Sequence, residues 1–380
     1  MEIKRTRKNI PPGIVRKLWV QCAGRCQYSG CNTSLWKDEL MHKDMNKAYI
    51  SHIVAASPAG PRGDKVKSKE LEICYDNLML LCDECHNRID ESDRENHSVD
   101  LLMEMKKEHE NRINLVTSIG GANRSLVISY LAKIGDYYPA LSKNKAFETI
   151  IPIHFPFKGH FIQGGTKNSP IEDDEELYWK TETVALERWY KQSVMPYLND
   201  GSCTHISLFA VAPQPLLIKL GSLVSELQPA NVFQYFRDPS DSWKWQDDNS
   251  DLECQILPPV MFNGIPVLKL ELSAPVNNER ITTVFGDQDV SIWTVRIAKP
   301  RRDFLKSRLH LQQLKHAFRS AFDQLNVAHP NHRQVHVFPV APNSAAIEFG
   351  RVRMPKADKE LVLYDQNNKM NSFIKTLIIS

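Results

Sequence analysis

The chain has 380 residues, 42% hydrophobic and 24% charged, a globular composition that leaves out disordered and fibrous classes. At about 150 residues per domain the length predicts two or three domains. The formal net charge is only +3. No stretch reaches the roughly 18 apolar residues of a membrane span, and the charged start Met1-Glu-Ile-Lys-Arg-Thr-Arg-Lys8 has no apolar core behind it. Neither an anchor nor a signal peptide is therefore expected, and the expected location is the cytoplasm.

Charge and cysteine are both unevenly placed. Residues 1–69 hold 14 Lys/Arg against 5 Asp/Glu, residues 70–112 hold 5 against 13, and residues 296–356 hold 12 against 3. Two basic regions in a nearly neutral chain predict two anionic ligands, or one long one; two solvated faces is the plain alternative. Cys22, Cys26, Cys31, Cys74, Cys82 and Cys85 fall in the first 85 residues, while Cys203 and Cys254 stand alone. A disulfide framework belongs to short secreted chains, so the cluster points to metal.

In chain order, residues 12–23 read as a short helix, with Pro12 suited to its first turn. Cys26-Gln-Tyr-Ser-Gly-Cys31 places two thiolates around a Ser-Gly turn, Ala48-Tyr-Ile-Ser-His-Ile-Val54 is strand-like, and Cys82-Asp-Glu-Cys85 brings two more thiolates. Four thiolates in two local pairs are the ligand set of a structural Zn2+. Cys22 and Cys74 lie outside the pairs and read as packed thiols. Residues 98–113 read as a helix capped by Ser98, followed by a strand at Ile113–Ser118. So small and loop-rich a segment needs a metal staple to fold.

Three further residues are spaced around the thiolates: His52 in the strand, Asn77 before Leu78-Met-Leu-Leu81, and His86 directly after Cys85. In this order they resemble the HNH (ββα-metal) endonuclease motif, in its zinc-stapled form, over about residues 14–95. The resemblance implies phosphodiester hydrolysis of double-stranded DNA, leaving 5′-phosphate and 3′-hydroxyl ends. It makes His52 the general base, lets Asn77 position the His52 loop or contact the metal, and makes His86 a ligand of a catalytic Mg2+. A near-neutral imidazole suits proton abstraction, and a divalent cation offsets charge on the leaving oxygen. Many such enzymes carry Asp or His just before the base, where this chain has Ser51, a poor Mg2+ ligand. Asp90, four residues after His86, would supply the missing carboxylate, with a plain surface Asp as the alternative. Arg62 and Lys65, in the loop after the base, would grip DNA phosphates or else be solvated.

Residues 173–195 and 302–325 read as long amphipathic helices, each followed by a strand. Those strands align at a constant offset of 129 residues: Ile206-Ser-Leu-Phe-Ala-Val-Ala-Pro213 against Val335-His-Val-Phe-Pro-Val-Ala-Pro342, with Ile218/Ile347 and Gly221/Gly350 in phase beyond them. A duplicated α/β unit of two Rossmann-like halves is expected, with a ligand bridging the paired Ala-Pro turns at the strand ends.

Leu208–Gly221, Val232–Pro239 with Trp243-Lys-Trp245, Val337–Pro342 and Glu348–Lys356 together resemble the SAVED domain, a fusion of two CARF-like halves that senses cyclic oligonucleotides. An HNH domain ahead of it is similar to the HNH–SAVED effectors of bacterial antiphage signalling (CBASS). The resemblance implies a dormant nuclease that a cyclic di- or trinucleotide assembles into an active homo-oligomer, a dimer passing to a tetramer. Arg237, Lys299, Arg301, Arg351 and Lys356 are candidates for its phosphates, Tyr235, Trp243, Trp245 and Tyr364 for stacking on its bases, and Gln214 and Asn343 for base edges or phosphate. Core packing is the alternative for each aromatic.

The expected architecture is thus multidomain α/β: an HNH domain with structural zinc over 1–112, and a SAVED sensor over 113–380 with halves at about 113–250 and 251–380. The expected function is a cyclic-oligonucleotide-activated, Mg2+-dependent DNA endonuclease. The rivals are a restriction-type HNH nuclease whose C-terminal half reads modified DNA, and a non-catalytic zinc-bound DNA-binding regulator.

Overall fold

The structure, a computed structural model, describes residues 8–36, 45–135, 137, 139–166, 171–237, 241–367 and 372–380. The basic start at residues 1–7, Lys37, Lys43 and Pro239 lie outside them. The chain divides into two compact units, Met1–Gly120 and Gly121–Ser380.

The first unit begins with α1 (Pro12–Gln21), which has Pro12 at its first position and buries Leu18. Strand β1 (Tyr49–His52) pairs antiparallel with β2 (Leu78–Leu81), His52 opposite Leu78 and Tyr49 opposite Leu81. A single turn, α2 (Lys67–Glu70), lies in the loop between them. β2 is buried at every position and leads into α3 (Asp83–Asn87), which continues as a wider turn through Ser92. α4 (Val99–Thr117) closes the unit, its N-terminus capped by the Ser98 hydroxyl accepting from the Leu101 amide. The strand expected at Ile113–Ser118 is instead the end of this helix. Leu102, Met105, Lys106 and His109 are buried at helical spacing, and that period carries the chain on past Ile113. The core is small: Leu18, Leu35, Ile53, Leu78–Leu81, Ile89 and Leu102 with the thiols.

The second unit holds two sheets. β3 (Arg124–Leu131), α5 (Lys143–Ile150), β4 (Phe155–Gly164), α6 (Glu176–Trp189), α7 (Met195–Asn199), β5 (Ile206–Val211), α8 (Gln214–Val224) and β6 (Ala230–Phe233) make a four-stranded parallel sheet in the order β4-β3-β5-β6. β7 (Cys254–Leu257), β8 (Ile265–Glu271), α9 (Asn278–Phe285), β9 (Val290–Ile297), α10 (Arg308–Ala328), β10 (Gln334–Val340), α11 (Asn343–Val352), β11 (Glu360–Asn367) and β12 (Ser372–Ile379) make a six-stranded sheet, order β12-β11-β10-β8-β9-β7. Its inner strands β9-β8-β10-β11 are parallel and repeat the first sheet's order, and the added edge strands β7 and β12 are antiparallel. Strands covered on both faces are buried throughout and read as largely apolar runs, as β5 does with Ser207 its one polar residue. The halves share one core in which Leu208, Leu216 and Leu268 join Phe318 and Phe349.

Candidate active site and ligand site

In the first unit, His52, Ser51, Tyr49, Glu72, His86 and Asp90 line one cleft of about 640 Å³. His52 is buried at the end of β1, with Nε2 2.9 Å from the Glu72 carbonyl oxygen. A carbonyl only accepts, so Nε2 carries a proton. Asn77 is buried beneath the following loop, where its Oδ1 accepts from the Val54 amide at 2.7 Å and its Nδ2 donates to the Val54 and Leu71 carbonyls at 2.9 and 3.1 Å. Its amide thus bonds the chain after His52 through both its oxygen and its nitrogen.

His86 stands on α3 across the cleft, its ring stacked on Tyr49 at 4.9 Å between centroids. Ser51 Oγ lies 2.8 Å from His86 Nδ1, and Asp90 Oδ2 lies 3.6 Å from the same nitrogen. Ser51 is thus the hydrogen-bond partner of a histidine, and its hydroxyl does not point alone into the cleft. Tyr49 was not anticipated, since an aromatic opening a strand reads as packing. Its hydroxyl bonds to Asp83, which pushes its pKa up.

Arg62 corrects the expectation most sharply. Expected on DNA phosphate or in solvent, its side chain is only 7% exposed and points inward, with one nitrogen 2.6 Å from Asp90 Oδ1. Asp90 is therefore already paired, and the carboxylate expected for Mg2+ has one oxygen committed to Arg62. Lys65 stays exposed on the same loop. Among the described residues, the only group of three or more His, Cys, Asp and Glu side chains close enough to share an ion is Cys26, Cys31, Cys82 and Cys85.

Those four sulfurs fit zinc. A tetrahedral ion with bonds of about 2.3 Å to sulfur has a sulfur–sulfur edge of about 3.8 Å. Cys31 Sγ and Cys82 Sγ are 3.8 Å apart, and all four sulfurs lie within 4.8 Å of one another. Burial pushes the Cys26 thiol up to about 12 and raises Cys85 as well, so a buried thiolate set needs a cation to exist. Cys22 caps α1 with its thiol on the Trp19 carbonyl, as a packed residue, and Cys74 is half-buried.

In the second unit, α8 and α11 start at the carboxyl ends of β5 and β10, directly after the paired Ala-Pro turns, and the prolines before them supply no side-chain cap. Gln214 reaches across the pair, Oε1 accepting from the Ala341 amide at 3.1 Å, while Gln234 accepts from the Ser344 amide and hydroxyl at 3.1 and 2.7 Å. Asn343 opens α11 from the other side. Arg237 is exposed, its guanidinium 5.0 Å over the Tyr137 ring, and half-buried Tyr235 bonds to Asp241. Lys299 and Arg301 follow β9 and line a separate cleft of about 320 Å³ with Lys306, His310 and Asp248.

Four expected ligand residues are placed elsewhere. Trp243 is buried against Phe209 and Tyr235, and Tyr364 stacks on Phe338 with its hydroxyl 2.9 Å from His336 Nδ1, so both are core. Arg351 is buried and bonded to Glu348 and to the Ser225 and Gln228 carbonyls, where it ties α11 to the end of α8. Lys356 lies beyond the carboxyl end of α11, the end opposite Asn343. Trp245 is half-buried edge-on to Phe236. Arg280, in the first turn of α9, was not among the expected residues; it lies 4.9 Å over Phe373, with Nε and Nη2 buried and without a hydrogen-bond partner. A helical Arg on an exposed-looking amphipathic turn carries no sequence signal for this.

Residues 186–379 match the family model described as "SMODS-associated and fused to various effectors sensor domain", SAVED. No curated protein matches the chain. Among solved structures it is similar to the Acinetobacter baumannii Cap4 SAVED/CARF-domain containing receptor with the cyclic trinucleotide 2′3′3′-cAAA, at 11% identity and a TM-score of 0.43, covering 82% of this chain and 61% of that one. It is also similar to the Moraxella osloensis Cap4 receptor, at 9% identity and a TM-score of 0.41, covering 83% and 66%. The chain thus spans about three fifths to two thirds of the length of these receptors. No helix among the described residues is long and apolar enough to cross a membrane.

Proposed function

The chain belongs to the SAVED sensor-domain family, and from that premise we propose that it is an antiphage effector: a cyclic-oligonucleotide sensor fused to an HNH-type DNA endonuclease. The sensor reading is supported by the N-termini of α8 and α11 meeting at the paired turns, where Gln214 bonds the Ala341 amide, since a helix N-terminus is a favourable place for phosphate. Arg280 adds a guanidinium with no anion of its own, and Tyr235 and Tyr137 offer ring faces for a base. The similar Acinetobacter baumannii receptor is known with the cyclic trinucleotides 2′3′3′-cAAA and 3′3′3′-cAAA, and a cyclic di- or trinucleotide is the proposed activator here. Homo-oligomer formation on ligand binding is part of the same proposal.

The observation that carries the nuclease reading is His52. It is a buried imidazole in a cleft, its Nε2–H held on the Glu72 carbonyl, which fixes the ring. In this reading Nδ1 takes a proton from water as that water attacks phosphorus. Asn77 keeps the His52 strand end in place through Val54. His86 would hold the divalent cation through Nε2, since Ser51 and Asp90 flank its Nδ1. That Mg2+, when bound, offsets the charge of the leaving 3′ oxygen. The zinc site does no chemistry: Cys26, Cys31, Cys82 and Cys85 hold the loop before β1 to the start of α3 and so keep His86 in register.

The test is plasmid cleavage by the full chain with Mg2+ against a panel of cyclic di- and trinucleotides. One panel member should switch on cutting by the wild type and leave His52→Ala inert. A His52→Ala protein that cuts as well as the wild type would sink the proposal.

A further inference from the structure

The loop between β1 and β2 is built around one side chain. Arg62 adopts φ +58°, a left-handed backbone that a residue with a side chain takes only under constraint. Next to it only glycine fits: a Cβ on Gly63 would lie 2.4 Å from the Pro58 carbonyl oxygen. This tight turn drives the guanidinium inward. Nε donates to the Ile53 carbonyl at 2.8 Å, Nη1 to the Ile89 carbonyl at 2.6 Å, and Nη2 to Asp90 Oδ1 at 2.6 Å, with the His52 carbonyl 3.4 Å away. Two of these acceptors lie on the strand end that carries His52. The other two lie on the turn that continues the helix carrying His86. Asp90 in turn presents its second oxygen to His86 Nδ1 at 3.6 Å.

We propose that Arg62 is a positioning residue for the candidate active site. It ties the strand of His52 to the helix of His86 through one planar fork, and it orients the Asp90 carboxylate that flanks the His86 ring. The inference rests on the nuclease reading above and deepens it. A planar five-donor group suits the task because its donors lie in fixed directions, whereas a lysine ammonium on a flexible stem cannot satisfy carbonyls on both sides at once. Outer groups that orient a metal-binding histidine typically change metal affinity by about 10–100-fold when removed.

The experiment titrates zinc-loaded full-length protein with Mn2+ as a paramagnetic probe, comparing wild type, Arg62→Lys, Arg62→Met and Lys65→Met, with melting temperature and DNA affinity recorded for each. Wild type and Lys65→Met should bind Mn2+ alike. Arg62→Lys, which keeps charge and stem and so guards the fold, should bind roughly tenfold or more weakly, as should Arg62→Met. Unchanged Mn2+ affinity in a folded Arg62→Lys protein overturns the proposal. So does a pattern in which DNA affinity falls while Mn2+ affinity holds, for that would make Arg62 a phosphate contact. Absence of Mn2+ binding in the wild type would instead defeat the nuclease reading itself.

Discussion

Gly221 and Gly350 meet reciprocally where α8 crosses α11. A Cβ built on Gly221 would lie 2.0 Å from the Ile347 carbonyl oxygen, and one built on Gly350 would lie 2.0 Å from the Ile218 carbonyl oxygen. The two contacts interchange when Gly221 and Ile218 are advanced by 129 and Gly350 and Ile347 set back by 129, which makes the crossing an axis of the internal duplication. Because the obstacle is backbone on both sides, no rotamer change relieves it.

Gly221→Ala and Gly350→Ala should each destabilise the sensor unit by about 1–3 kcal/mol or more, the range for forced overpacking. The double variant should cost less than the two singles together, since once one methyl has parted the helices the second finds room. Chemical denaturation of the three proteins checks this, and full additivity would contradict it.

Arg280→Met should separate ligand binding from stability. Removing a buried donor group that lacks a partner relieves a cost, so the melting temperature should hold or rise. Affinity for the activating cyclic nucleotide should fall by about tenfold, roughly one charge-assisted hydrogen bond. Calorimetric titration reads both, and unchanged affinity would remove Arg280 from the site.

Asn77→Ala should leave the Val54 N–H and C=O buried without their partner, at about 2–4 kcal/mol for two orphaned groups. The loss should fall on the first unit alone, as an earlier first transition in scanning calorimetry with the second unmoved.

Stripping zinc, or Cys85→Ser, should unfold the first unit and spare the second. The first core is too small to do without its staple, whereas the second unit has a large shared core of its own. Two calorimetric transitions should become one, and survival of both would show that the thiols only pack.

Acid should weaken the sensor unit through two buried rings. Burial lowers His205 and His336 to about 4. Above pH 6.5 both are neutral, folded or unfolded. Between pH 6.5 and 4 the unfolded chain takes up protons that the folded chain refuses, so stability falls, by roughly 2–3 kcal/mol per ring once pH is below 4. Urea midpoints at pH 7 and 4.5 should diverge less in His336→Gln than in the wild type.

The duplication could be read from sequence because β5, α8, β10 and α11 keep one offset, and buried parallel strands announce themselves as apolar runs. β3, α5 and β4 could not be placed that way, since insertions between the elements break the offset before β5. The thiolate pairs and His52, Asn77 and His86 were legible as spacings. Direction was not: Tyr364 and Asp365 are neighbours on one strand, and only the sheet decides that Tyr364 faces Phe338. Arg62 sits between proline and glycine in a polar loop, which reads as surface. Its inward partner is Asp90, 28 residues later, and no local pattern names that partner.

The glycine crossing has a consequence for dose. Two halves joined on one chain and sharing one core meet at the paired turns whether the protein is scarce or abundant. A receptor that built the same surface from two separate chains would first have to find its partner, and its threshold would drift with expression level. Under the proposed function, first occupancy should depend on the signal molecule alone, and any dependence on copy number should enter only with the proposed assembly of whole molecules.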